Sequence, residues 1–292
     1  MNVDSAVAIE IDRAVVTALE TDDMSALRVM GNGEFSVVLG WPSSAPTLVV
    51  KPIGPFRPEE YLAYESLLHD YIAELRRRGV ATVDTQITAV ERQPGTIVGY
   101  MFQPLLESES LAENALTERV PLVDDPILDS IVSALMTCDA DVSIDPPVSN
   151  WYWDGSRVAL LDVGLPLMWG DQNSRRLDFA PFMRSLPIGA RTLFRRGFES
   201  GTDRMRERRK LGIEFVSRLA FFDLDEWEGV ALDAFNLRLD SADRISFEEV
   251  EAMRHSDSAD LKRFKRLQRR QRRWVQGVLR RRYEFCLGES TY

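Results

Sequence analysis

Lysine is scarce in this 292-residue chain. Lys51, Lys210, Lys262 and Lys265 are the only four, against 32 arginines. Three of them stand in arginine-rich runs. Lys51 instead closes the apolar run Thr47-Leu48-Val49-Val50, where an unpaired ammonium is costly to bury. Histidine is scarcer still: His69 and His255 are too few for a histidine-based metal centre. Cys138 and Cys286 are the only cysteines and belong to no CxxC pair. They exclude a disulfide framework and read as reduced thiols of a cytoplasmic protein. No apolar run approaches the ~20 residues of a membrane-spanning helix. Residues 1–10 carry Asp4 and Glu10 but no Lys or Arg, the reverse of a secretory leader.

What is abundant is apolar surface and unevenly placed charge. Hydrophobic residues make up 45% of the chain, enough for a sizeable core. Residues 1–170 carry a net charge of −16 and residues 171–292 a net of +6. An acidic body with a basic end speaks to partners rather than to fold.

Periodicity predicts a helix over 5–20, with Val7, Ile11, Val15 and Leu19 on one face. Strand-like residues follow over 27–41, then Thr47 to Lys51, making an antiparallel hairpin across the turn 42–46. Residues 52–58 read as a loop, 59–78 as a helix stopped at Gly79. Strands are predicted over 87–91 and 96–102, with Gln103-Pro104 breaking the pattern. A helix follows over 127–138, then a loop over 139–150 that Pro146-Pro147 keeps irregular. Trp151 to Trp153 and Val158 to Asp162 form a hairpin around Asp154-Gly155. The remainder is mostly helical, with Trp169, Trp227, Phe221 and Phe222 expected in the core.

Several residues in this order carry chemistry. Gly31-Asn32-Gly33-Glu34-Phe35-Ser36-Val37-Val38 has two glycines that would let backbone approach a phosphate; alone it also fits an ordinary hairpin turn. Lys51 follows on the next strand. Glu65, on the helix after it, is the first choice of carboxylate partner, and Glu60 the second. Asp145 precedes Asn150 by five residues in the irregular loop. Asp162-Val163-Gly164 ends the second hairpin, where Asp162 is either a metal ligand or a turn carboxylate.

Taken in order, this set resembles the protein-kinase-like superfamily, and within it the aminoglycoside and choline phosphotransferase group, over residues 25–170. The resemblance implies an α+β, two-lobed fold: 1–106 an N-lobe of antiparallel sheet plus one helix, 107–292 a helical C-lobe. The boundary falls near 103–111. It implies ATP and Mg²⁺ as cofactors, with Gly31, Gly33, Val38, Lys51 and Glu65 serving the nucleotide. Gln103 and Leu105, in the segment Met101 to Leu106, would form the adenine hinge. Asp145 would be the catalytic base, and Asn150 and Asp162 the magnesium ligands. The acceptor would be a hydroxyl of a small molecule or lipid headgroup. Ser143 and Pro147 depart from the pattern: a histidine is usual at the first position and a lysine or histidine at the second. No A-P-E element follows Asp162. The alternative is therefore a pseudokinase-like module that holds nucleotide or a partner without efficient transfer.

Residues 261–283 contain eleven Lys/Arg and no acidic residue. Leu261, Phe264, Leu267, Trp274 and Val278 share a face, which describes a basic amphipathic helix. Three readings stand: a helix packed on the acidic body with a buried Trp274, an anionic membrane contact, or nucleic-acid binding, the weakest of the three at an overall pI near 4.9.

Overall fold

Alternating apolar residues in the first hundred positions build a sheet with two covered faces. The computed structural model describes residues 3–21, 23–33, 35–280 and 282–285. A first helix, α1 (Ser5–Thr21), precedes strands β1 (Arg28–Asn32), β2 (Val37–Trp41) and β3 (Leu48–Phe56). Helix α2 (Pro58–Arg77) leads to β4 (Gln86–Gln93) and β5 (Thr96–Pro104). All five strands join one antiparallel sheet in the order β1-β2-β3-β5-β4.

Successive side chains of a strand point to opposite faces. On β5, Val98, Tyr100 and Phe102 join Val37, Leu39 and Val50 beneath Ala8, Ile11, Val15 and Leu19 of α1. Met101, with Ile53 and Ile87, turns to the other face, against Tyr64, Leu67, Leu68 and Tyr71 of α2. That second cluster continues without interruption into the helical remainder of the chain.

The segment 52–58, expected as a loop, is mostly strand. β3 runs to Phe56 and pairs with β5 down to Ile97, with a register shift between Ile53 and Phe56. The prolines are tolerated because β2 pairs only with residues 48–50 of β3. Beyond Lys51 the strand has one neighbour, so Pro52 and Pro55 leave no interior ladder bond unmade. Similarly Gln103-Pro104 does not break β5; Pro104 is its last residue and pairs with Leu48.

After β5 the chain is helical apart from one hairpin. Helices α3 (Ala112–Thr117) and α4 (Pro126–Met136) precede strands β6 (Trp151–Trp153) and β7 (Val158–Leu160). Asp125 caps α4, accepting from Ile127 N and Leu128 N. Then come α5 (Ala180–Met183), α6 (Ile188–Arg204), α7 (Arg208–Leu219), α8 (Glu228–Asn236) and α9 (Phe247–Gly277). The fold class is α+β. Trp169 and Trp227 are buried as expected, whereas Phe221 is half exposed.

The basic segment 261–283 is helical to Gly277, but its apolar stripe divides. Phe264 is buried and Leu267 partly so, while Trp274 (48% exposed) and Val278 (68%) face outward. The expectation of a buried Trp274 is thus corrected: the helix outruns the body it packs on. Leu261's side chain, Glu34 and Cys286 lie outside the described residues. No helix among the described residues is long and apolar enough to cross a membrane.

Candidate functional site

Lys51 directly follows the doubly paired part of β3, and its ammonium finds a carboxylate 111 residues away. Lys51 Nζ donates to Asp162 Oδ2 at 2.7 Å. Asp162 lies two residues past β7, and its other oxygen accepts from Gly164 N at 2.9 Å. Burial pushes this carboxyl upward, but Lys51 and the Gly164 amide outweigh it and hold the group below its ordinary value.

Two glycines make room for this pair. A Cβ on Gly164 would sit 3.1 Å from Asp162 Oδ1 and 3.5 Å from Lys51 Nζ. A Cβ on Gly33 would come within 3.1 Å of Ser36 O and 3.9 Å of Lys51 Cε. The glycine loop and the Asp-Val-Gly turn therefore flank the ammonium from two sides. Gly31 is different: a Cβ there meets only Val38, at 3.8 Å, an ordinary contact, so no steric need for glycine exists at that position in this conformation. Val38 is half-buried opposite Gly31 in the β1–β2 pairing.

The loop from Asp139 to Asn150 brings up the second pair. Asn150 Nδ2 donates to Asp145 Oδ2 at 3.0 Å and to Asp145 O at 3.1 Å. The Asn150 carbonyl accepts from Leu161 N at 2.7 Å, which ties this loop to the residue before Asp162. Burial raises the Asp145 carboxyl above its ordinary value, with Arg218 opposing and Asp162 adding to the rise. Two neighbouring carboxyls thus move in opposite directions, the arrangement that separates a proton acceptor from a permanent anion.

Asn150 and Asp162 suit a hard cation. The Asn150 amide oxygen has no hydrogen-bond donor among the described residues, and Mg²⁺ takes such oxygens together with one or two carboxylates. Among the described residues no cluster of three His, Cys, Asp or Glu could hold a metal by itself, so further ligands would come from phosphate oxygens and water.

Other expected site residues have different partners. Glu65 accepts from Tyr61 OH at 2.8 Å and makes no ion pair with Lys51. Glu60 pairs with Arg184 and accepts from Arg57 N at the start of α2. Gln103 turns its side-chain amide inward, donating to Leu161 O at 2.6 Å and Thr85 Oγ1 at 3.0 Å, and so braces the Asp162 segment. Leu105 is partly exposed, and its N–H already donates to Thr47 O at 3.0 Å. That amide is engaged by the sheet in this conformation.

The chain matches no family model and no curated protein.

Tyr64, Tyr71 and Arg218, which motif spacing does not show, also build the site, as does Phe35 within the glycine motif. Tyr64 OH donates to Gly164 O and Tyr71 OH to Ser143 O, each at 2.8 Å. From one face of α2 these two tyrosines fix the Asp162 turn and the Asp145 loop. Their signal was present: a tyrosine on a buried helix face needs a partner for its hydroxyl. Phe35, next to the glycines, packs its ring on Phe182, Phe198 and Phe264 at 5.1 to 5.6 Å, which anchors the glycine loop to the helical half. Arg218 on α7, held by Glu214, is the cation that acts most strongly on Asp145, ahead of Lys51. Ser143 proves structural: it is fully buried, with Oγ donating to Met205 O at 2.6 Å.

Proposed function

We propose that this cleft binds a magnesium nucleoside triphosphate, ATP by resemblance, and transfers its terminal phosphoryl group to a hydroxyl acceptor. The reading takes the molecule as a two-lobed, kinase-like fold with the sheet as one lobe. The observation that carries it is the convergence of Lys51, Asp162 and the Asp145–Asn150 loop from three separate segments into two directly bonded pairs. Such a cluster has no need to exist for folding alone, since an apolar set would pack at lower desolvation cost.

Each side chain has a part. Lys51 would exchange Asp162 for phosphate oxygens on nucleotide binding. The Asn150 amide oxygen and Asp162 would hold magnesium, which would supply charge neutralisation at the phosphate oxygens. Asp145 accepts the proton of the attacking hydroxyl, and its raised carboxyl makes it a better base than an ordinary aspartate. Arg218 supplies positive charge from α7 near the point where the chain has Pro147 in place of a cation.

A second reading, nucleotide binding without efficient transfer, is favoured by the pairing of Glu65 with Tyr61 instead of Lys51. The two are separated by following label from γ-labelled ATP into hydroxyl compounds and phospholipid headgroups with wild type and Asp145→Asn. Transfer requires label in an acceptor with the parent protein and a loss of at least 100-fold in turnover, at unchanged nucleotide affinity, with the variant. Equal loss of affinity and turnover makes Asp145 structural.

A further inference from the structure

The outer half of α9 displays charge and apolar surface together. Its inner half is fixed: Phe264 is buried among Phe35, Phe194 and Phe198, and Gln268 Nε2 donates to Ser185 Oγ at 3.1 Å. Beyond Gln268 the helix leaves the core. Trp274 near its end, and Val278 and Leu279 just past it, are 48%, 68% and 42% exposed. Arg266, Arg270 and Arg273 are exposed as well and make no ion pair among the described residues. The steps from 266 to 270, 273 and 277, and from 270 to 274 and 278, are all three or four residues. The arginines and Trp274 therefore share one continuous face.

Charge makes this face distinct from the rest of the molecule. Residues 261–283 carry +11, so the remaining chain carries −21. We propose that this face docks on an anionic phospholipid surface. The arginines meet lipid phosphates, while Trp274, Val278 and Leu279 enter the headgroup boundary, where an indole finds both an apolar layer and hydrogen-bond acceptors. The acidic body is repelled by the same surface, so only this end docks. A nucleic acid offers phosphates but no layer for Val278 and Leu279. The face lies outside the nucleotide cleft and the proposal stands without phosphoryl transfer.

The test is sedimentation of the full chain with phosphatidylcholine vesicles, with and without phosphatidylserine, across a salt series. Binding should require phosphatidylserine and fade with salt. The triple variant Arg266→Gln, Arg270→Gln, Arg273→Gln should bind roughly 100-fold more weakly, at about fivefold per arginine. Vesicles should shift tryptophan emission to the blue in the parent protein but much less in Trp274→Phe. Absence of binding, binding indifferent to phosphatidylserine, or an unweakened triple variant overturns the proposal. So does vesicle binding displaced by inorganic phosphate or duplex DNA with no blue shift, which would assign the face to free phosphate or nucleic acid. Should the triple variant fail to fold by circular dichroism, the lipid and salt dependence of the parent protein decides alone.

Discussion

The two aspartates of the cleft differ because their neighbours differ. Asp162 has Lys51 at 2.7 Å and the Gly164 amide at 2.9 Å; Asp145 has only the neutral amide of Asn150 in direct contact. Their pH signatures should therefore separate. The depressed carboxyl of Asp162 contributes stability that is full above the ordinary aspartate value of about 3.9. It is lost as pH falls through the lower folded-state value. Acid unfolding of Asp162→Asn should lack that component when followed by circular dichroism below about pH 4. The raised carboxyl of Asp145 acts in the opposite sense: its ionised form is the disfavoured one, and a base-dependent rate would rise through a midpoint above about 3.9. A pH–rate profile of phosphoryl transfer with no acidic limb above that value would remove Asp145 from the role of base. The sequence carried Lys51, Asp145, Asn150 and Asp162 legibly, because a lone lysine on an apolar strand and an aspartate at a strand end must each find a partner. It did not carry the choice of partner. Lys51 goes to Asp162 and Glu65 to Tyr61, and a choice among carboxylates within reach is decided by tertiary packing.

At the scale of elements, most of the sheet and the main helices were legible from period-two and helical patterns. The errors fall where a neighbour overrides local signals. β3 continues through Pro52 and Pro55 because its β2 side is already free there. Residues 261–278 carry a continuous apolar stripe in sequence, yet only the part around Phe264 and Leu267 finds a surface to cover it. Residue pattern specifies which face is apolar, not how far the neighbouring element extends. Phe264, buried among Phe35, Phe194 and Phe198, should cost ~3–5 kcal/mol when changed to alanine, the range for a large core aromatic. Trp274→Ala should cost less than ~1 kcal/mol, as expected of an exposed site. Urea unfolding of the two variants reads this order directly, and a larger loss for Trp274 would mean that the outer half of α9 is packed after all. Phe35→Ala tests the same cluster from the sheet side. It frees the glycine loop from the helical half, so nucleotide should exchange faster in stopped-flow measurements with a fluorescent ATP analogue.

The whole molecule joins its two ends across the sheet. Arg92 on β4 binds Asp12 of α1 at 2.8 Å and Glu284 at 3.2 Å, Arg282 reaches Glu20 at 3.0 Å, and Tyr283 OH donates to Ser185 O at 2.6 Å. Arg282 thus lies against acidic Glu20 and acidic Glu284 against Arg92, and the apolar core runs from α2 through the helical half. Lys51 and Asp162 meet where the sheet joins the helical part, so their pairing is a property of the assembled chain and not of either part. The central claim is that the join holds a magnesium nucleotide. Thermal unfolding with and without millimolar MgATP tests it most directly, because a ligand at 100 times its dissociation constant adds about 2.7 kcal/mol to stability. The account predicts a clear upward shift of Tm for the parent protein and a much smaller one for Lys51→Ala and Asp162→Ala. No shift in the parent protein, or equal shifts in all three, would contradict it.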